Sequence, residues 1–146
     1  MAIWQKAIDL AAINASTRGT LVEALGITIT EVGDDWLRGT MPVDHRTKQP
    51  FGLLHGGASV ALAETLGSFA GWMTLPAGQG NTVGLEINAN HLRAMREGVV
   101  TGTARAVHVG RSTQVWEIRI TDEREKLVCI SRLTLAVVGP NVAPAG

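Results

Sequence analysis

The sequence has one cysteine, no tyrosine, two phenylalanines and no net charge. Each shortage excludes something. Cys129 stands alone in the apolar run Leu127-Val128-Cys129-Ile130. It can form neither an intramolecular disulfide nor a cysteine zinc cluster, and its setting reads as a buried strand. Thirteen Lys+Arg balance thirteen Asp+Glu, which removes the long-range pull toward nucleic acid or an acidic membrane. A neutral chain is also poorly protected against self-association, so an oligomer is expected. No stretch approaches the ~20 apolar residues of a membrane span. The opening Met1-Ala2-Ile3-Trp4-Gln5-Lys6 has no apolar signal-peptide core, and a cytoplasmic location is the expectation.

No repeat, low-complexity segment or linker divides the chain. Its 146 residues suit one domain that buries roughly two-thirds of its unfolded surface without a metal or disulfide staple. We expect that domain over 1–138 and a flexible tail over 139–146, where Pro140 and Pro144 preclude regular structure. With 17 glycines and 4% aromatics, small residues must matter to the packing.

Ile8 to Ile13 and Leu21 to Leu25 read as short helices, the second ended by Gly26. Ile27 to Val32 and Trp36 to Val43 alternate as strands joined by a Gly33-Asp34-Asp35 turn, a hairpin. Asp44 to Phe51 is a polar loop. One long helix is expected from about Ala58 to Leu75, with Leu62, Leu66, Phe69 and Met73 as its apolar stripe. At ~100° per residue, Glu64 falls opposite that stripe, with Gly67, Ser68 and Gly71 around it. The remainder reads as β structure: Thr82 to Leu92, Val99 to Val109, Thr113 to Thr121 and Lys126 to Val138. Short connections favour antiparallel pairing, so the class is α+β with one long helix on one sheet.

The chemistry concentrates where that helix starts. Gln49, His55, Gly56 and Glu64 stand within sixteen residues of one another. Helix N-termini offer unpaired N–H groups and partial positive charge. Gly56, lacking a side chain, lets an oxygen approach such an N–H, as an oxyanion hole requires. Glu64 is two turns further in, about 12 Å along the axis, too far to share one carbonyl with Gly56 in a single chain. If the two cooperate, two copies of the helix must run antiparallel, and Gly67 and Gly71 are expected to permit their close approach.

His55-Gly56-Gly57 followed by Leu62-Ala63-Glu64 resembles the hotdog-fold acyl-CoA thioesterases. Met41-Pro42-Val43-Asp44, Thr47 to Ser59 and Val83 to His91 narrow the resemblance to the branch acting on aromatic acyl-CoA esters. That branch includes the 4-hydroxybenzoyl-CoA, 1,4-dihydroxy-2-naphthoyl-CoA and enterobactin-proofreading thioesterases. The resemblance covers about Trp4 to Val138. It implies a hotdog fold, one central helix wrapped by an antiparallel sheet, and hydrolysis of an acyl-CoA to free acid and coenzyme A. It also implies Glu64 as the catalytic carboxylate, either attacking the carbonyl or activating water. The Gly56 N–H would polarise the thioester oxygen, Gln49 and His55 would orient the site, and Ser68 would help place water or acid. Coenzyme A would be held by Asn90-His91-Leu92-Arg93, by His108-Val109-Gly110-Arg111-Ser112-Thr113 and by the strand near Gly84. The partner is a second copy, in a homodimer or a dimer of dimers.

Because an ordinary glutamate side chain is already ionised at neutral pH unaided, no cofactor is expected. A metal site from His55, His91 and His108 is not expected either, since their spacing repeats no ligand pattern. His55 has a plainer reading, as a helix cap. Two other functions stay open: a non-catalytic acyl-CoA-binding module, and a hotdog dehydratase or hydratase. The first would usually carry a fused DNA-binding segment; the second needs a spaced Asp/His pair. Neither feature is found. The acyl group is left open, since it depends on the placement of side chains such as Val60, Phe69 and Trp72.

Overall fold

The computed structural model describes residues 1–140, so the expected tail lies, from Asn141 onward, outside the described residues. Two short helices, α1 (Leu10–Ser16) and α2 (Leu21–Ala24), precede the hairpin β1 (Thr28–Val32) and β2 (Trp36–Pro42). The long helix α3 (Gly56–Met73) follows, then β3 (Asn81–His91), β4 (Val99–Val109), β5 (Thr113–Thr121) and β6 (Leu127–Val138). All six strands form one antiparallel sheet in the order β1-β2-β4-β5-β6-β3. The strand after α3 is thus carried to the far edge, and β4 returns beside β2.

α3 begins two residues before the expected Ala58 and ends at Met73 rather than Leu75. The two glycines at its start would be costly in a helix interior. In the first turn, however, N–H groups have no intrahelical partner, and His55 supplies one. Its backbone is extended, and its Nδ1 accepts the Gly57 N–H at 2.7 Å. At the other end Thr74 Oγ1 donates to Gly71 O at 2.8 Å, and Pro76 cannot extend the helix.

Ser59, Leu62, Ala63, Leu66, Gly67, Ala70, Gly71 and Met73 are buried, and α3 packs against β2, β3, β4, β5 and β6. This corrects two expectations. Gly67 and Gly71 do not face a second helix. A Cβ on Gly67 would come 2.6 Å from Leu133 Cδ2, and one on Gly71 would come 2.5 Å from Leu135 Cδ1. The glycines let α3 sink onto β6. Phe69, in turn, leaves the buried stripe and lines a cleft. From the sheet side, Gly39 and Gly102 are register partners, and each makes room for a Leu66 methyl. Fully burying a leucine such as Leu62 or Leu66 stabilises the fold by about 1.5–3 kcal/mol.

Trp116, also fully buried, stacks on Trp4 with ring centroids 6.3 Å apart. Its Nε1 donates to Gln114 Oε1 at 3.0 Å, and Gln114 Nε2 donates to Thr74 Oγ1 at 2.9 Å. The buried amide is therefore satisfied at both ends, as burial of a polar group requires. Cys129 is buried, as its surroundings in the sequence indicate.

The sheet has two edges, β1 and β3. Along β1, Asn14 of α1 copies a strand residue: its Nδ2 donates to Ile29 O and its Oδ1 accepts the Ile29 N–H, both at 2.8 Å. Among the described residues no side chain bonds the β3 edge in this way, and Leu85 on it is 60% exposed. An uncovered edge strand is a template for pairing with another chain. Among the described residues no helix is long and apolar enough to cross a membrane.

Candidate active site

The loop before α3 is pinned at several points. Thr47, 1% exposed, donates from Oγ1 to Pro42 O at 2.7 Å and accepts the Asp44 N–H at 3.1 Å. Asp44 pairs with the Arg46 guanidinium at 2.7 Å. That hydrogen bond, with the Arg46 backbone N–H, holds the Asp44 carboxyl down to about 2. The His55 N–H donates to Thr47 O at 2.8 Å and the Leu54 N–H to Met95 O at 2.7 Å.

Gln49 opens the turn Gln49-Pro50-Phe51-Gly52, closed by Gly52 N–H to Gln49 O at 2.9 Å. Gly52 sits at φ +80, a region glycine enters without strain. The Gln49 Oε1 accepts the Phe51 N–H at 2.6 Å. That fixes the amide's orientation and leaves its NH2 as the donor to offer.

His55 uses Nδ1 as the cap acceptor, so a neutral ring carries its proton on Nε2. The Gly56 N–H, first in the helix, makes no hydrogen bond to the described residues. His91, at the end of β3, places Nε2 2.9 Å from where a Gly56 Cβ would stand. Any side chain at Gly56 would meet that imidazole.

Glu64 lines a cleft with Val60, Ser68, Phe69 and Trp72 of α3, on the side of the helix next to the edge strand β3. These residues form one wall of the cleft, of about 940 Å³, whose other wall comes from the N-terminal arm, α1 and α2 through residues such as Ala12, Ile13 and Val22. The lining is chiefly apolar, which suits a hydrophobic group placed beside one carboxylate. Gly84 completes the carboxylate's seat. A Cβ there would stand 2.6 Å from Glu64 Oε1. The room beside Glu64 thus comes from Gly84 on the edge strand β3, not from Gly67 and Gly71.

The coenzyme A candidates separate into two places. His91, Leu92 and Arg93 lie at the α3 N-terminal end, where the Leu92 N–H donates to Val128 O at 2.8 Å. The β4–β5 hairpin carrying His108, Gly110, Arg111, Ser112 and Thr113 lies at the opposite end. There Thr113 is register partner to Ala136, which also pairs with Val83. β3 spans its eleven residues at ~3.3 Å each, so the clusters of one chain are about 30 Å apart. Arg93 and Arg111 are exposed and form no ion pair among the described residues. No three His, Cys, Asp or Glu side chains group as metal ligands among the described residues.

The N-terminal wall of the cleft was not legible as a site. Its signal was weak: small and aliphatic residues in a short amphipathic helix look like any other packing segment.

A long helix wrapped by a six-stranded antiparallel sheet, with a glycine-started N-terminus and a cleft beside the helix, is the hotdog architecture of thioester hydrolases. Residues 51–129 match the family described as the thioesterase superfamily. The proofreading thioesterase EntH of Cronobacter turicensis is 57% identical over 137 residues, covering 94% of this chain and 99% of that protein. A 1,4-dihydroxy-2-naphthoyl-CoA hydrolase of Escherichia coli is 54% identical over 136 residues, covering 93% of this chain and 99% of that protein. The crystal structure of a thioesterase from Haemophilus influenzae superposes with a TM-score of 0.94 at 51% identity, covering 98% of this chain and 99% of that one. The chain belongs to the thioesterase superfamily and is a thioester hydrolase.

Proposed function

We propose that the protein hydrolyses acyl-CoA, with an aromatic acyl group, to the free acid and coenzyme A, and that Glu64 carries the reaction. The observation that supports this most is the seat of Glu64: a carboxylate on the wall of a mostly apolar cleft of about 940 Å³, with Gly84 leaving space at its oxygen. The relatives named for EntH proofreading and for naphthoyl-CoA hydrolysis favour an aryl group in that cleft.

In this reading the thioester oxygen accepts a hydrogen bond from the free Gly56 N–H, which stabilises the oxyanion as charge develops. Gln49 offers its NH2, and His55 fixes the first turn that aims Gly56. Glu64 either adds to the carbonyl carbon or takes a proton from the water that adds. If Glu64 adds, the C–S bond breaks to leave a mixed anhydride, and water then cleaves the anhydride to release the acid and restore Glu64. If Glu64 takes the proton, the water oxygen adds directly and the C–S bond breaks as the tetrahedral adduct collapses. In both routes one water is consumed and the thiolate leaves with a proton. Ser68, one turn after Glu64 on the same wall, positions water or acid.

The helix places Gly56 and Glu64 about 12 Å apart, so the working site takes one from each of two copies. The β3 edge is the surface where a second chain adds with Glu64 beside it. An antiparallel pair also resolves the separation of the coenzyme A candidates. It brings the His91–Arg93 end of one chain toward the partner's hairpin at His108–Thr113. One coenzyme A can then touch both clusters, Arg93 and Arg111 meeting its phosphates. The assembly is such a dimer or a pair of them.

The test is a panel of acyl-CoAs followed by free-thiol release with a thiol-reactive dye. Thiol release from aryl-CoAs supports the reading. Binding without release would make the protein an acyl-CoA-binding module, and water addition to an enoyl thioester would make it a hydratase. Size-exclusion chromatography should give a dimer or tetramer; an active monomer contradicts the two-copy site.

A further inference from the structure

The N-terminal arm makes an unusual set of contacts with the C-terminal end of α3. The Gln5 N–H donates to Met73 O at 2.9 Å. Lys6 then reaches the helix end itself: its Nζ donates to Trp72 O at 2.9 Å and also to Leu75 O. The same ammonium lies over the Trp72 ring, 4.5 Å from its centroid. A cation at a helix C-terminus meets the negative end of the dipole and carbonyls with accepting capacity left. Trp72 O takes the Leu75 N–H at 3.2 Å as well, and α3 carries no basic residue of its own in its last turn. One side chain therefore performs three tasks. It caps the helix, holds an indole by its face, and ties down the arm.

What it holds matters to the cleft. Glu64, Ser68 and Trp72 are spaced i, i+4, i+8 on one helix face, and all three line the cleft. Trp72 stands about 12 Å beyond Glu64 along the axis, at the end away from Gly56. Immediately after Lys6, Ala7 and Asp9 join the opposite wall. Lys6 thus sits at the junction of both walls without itself lining the cleft. The arm is anchored upstream as well, by Ile3 N–H to Asp34 O at 3.0 Å and Trp4 Nε1 to Gly33 O at 2.7 Å. Burial among these groups pushes the Lys6 ammonium below the usual lysine range.

We infer that Lys6 is a positioning residue for substrate selection: by clamping Trp72 and the arm together it closes the far end of the cleft and limits how long an acyl group fits. The inference rests on the acyl-CoA reading given above. It predicts that loss of the clamp lets Trp72 swing, loosens the fit of a two-ring acyl group and admits a longer one. Chemistry at Glu64 is left alone.

Wild type, Lys6→Met and Lys6→Arg are compared with benzoyl-, 2-naphthoyl- and 4-phenylbenzoyl-CoA. Lys6→Met should raise KM for 2-naphthoyl-CoA about tenfold, the scale of a lost cation–π contact with its hydrogen bonds. Its kcat should stay within about twofold, and the kcat/KM ratio of phenylbenzoyl to naphthoyl should rise. Lys6→Arg, which keeps the charge and can lie on the indole, should restore both. An unchanged ratio and KM in Lys6→Met would overturn the inference, as would an equal fall in kcat for all three substrates.

A second measurement needs no turnover. The Trp72 indole N–H resonance, assigned by its loss in Trp72→Phe, should shift in Lys6→Met and return toward its place in Lys6→Arg. A resonance that does not move overturns the clamp. Failure of the wild type to release thiol from any of the three overturns the acyl-CoA reading instead, and the indole resonance still judges Lys6.

Discussion

Gly84→Ala separates the seat of Glu64 from the stability of the fold. Gly84 is exposed on the edge strand β3, and its φ is not among the positive ones, so alanine is tolerated by the backbone. The added methyl would lie 2.6 Å from Glu64 Oε1. Ordinary contact needs about 3.4 Å or more, so the carboxylate must retreat by roughly 0.8 Å. Displacements near 1 Å in a reacting group cost up to about 100-fold in rate. We therefore expect kcat to fall about 10- to 100-fold, while the melting temperature changes by no more than about 3 °C.

Gly67→Ala is the control of opposite character. Its methyl would meet Leu133 Cδ2 at 2.6 Å in the core. Overpacking of about 1–3 kcal/mol then opposes a helix-propensity gain of about 1 kcal/mol. Net destabilisation of up to about 2 kcal/mol is expected, with kcat per folded enzyme near normal. Thiol release and thermal melting on both variants decide the matter. Full kcat in Gly84→Ala, or loss of activity only in proportion to unfolding, would refute the assignment of Gly84 as the carboxylate's seat.

Two further outcomes follow from the loop before α3. His55→Ala should cost about 1 kcal/mol by removing the cap on Gly57, and His55→Asn should recover it; equal melting of wild type and both variants by calorimetry would show that His55 is no cap. Asp44, held down to about 2 from an ordinary 3.8, binds its proton less readily folded than unfolded. Its pairing with Arg46 therefore stabilises the loop above about pH 4, and that contribution is lost as the pH falls through about 2. Asp44→Asn should melt below wild type at pH 7, with the gap closing as the pH falls through that window. A gap that stays constant down to pH 2 would contradict the pairing.

Much of this architecture is legible in the sequence. In Thr113 to Thr121 the apolar Trp116, Ile118 and Ile120 fall at every second position, as one face of a strand requires, and all three are fully buried. The turn Gly33-Asp34-Asp35 marks the β1–β2 hairpin, and the charged Asp122-Glu123-Arg124-Glu125 separates β5 from β6. What periodicity misjudged was the place of Phe69. Large apolar residues suggest a stripe through it, yet Phe69 lines the cleft, while Gly67 and Gly71 lie buried against Leu133 and Leu135 of β6. A helix wrapped on more than one side has no single stripe to find.

The candidate site was legible in part for the same reason. Glu64 and Gly56 announce themselves by residue type beside a helix start. Gly84's relation to Glu64, by contrast, depends on a strand twenty residues away in sequence crossing the helix. Lys6 was silent, because a lysine near the N-terminus carries no local pattern; only its contacts with Trp72 and Leu75 give it a role.

The central claim is that Glu64 drives thioester hydrolysis, and Glu64→Gln tests it most directly. The substitution keeps the size of the side chain and removes its charge. Measured on 2-naphthoyl-CoA and benzoyl-CoA, turnover should fall by about 100- to 10,000-fold, the scale of a lost catalytic acid–base group, while the Kd for substrate stays within a few-fold. Glu64→Gln retaining the wild-type kcat, on enzyme that melts like the wild type, would contradict the account.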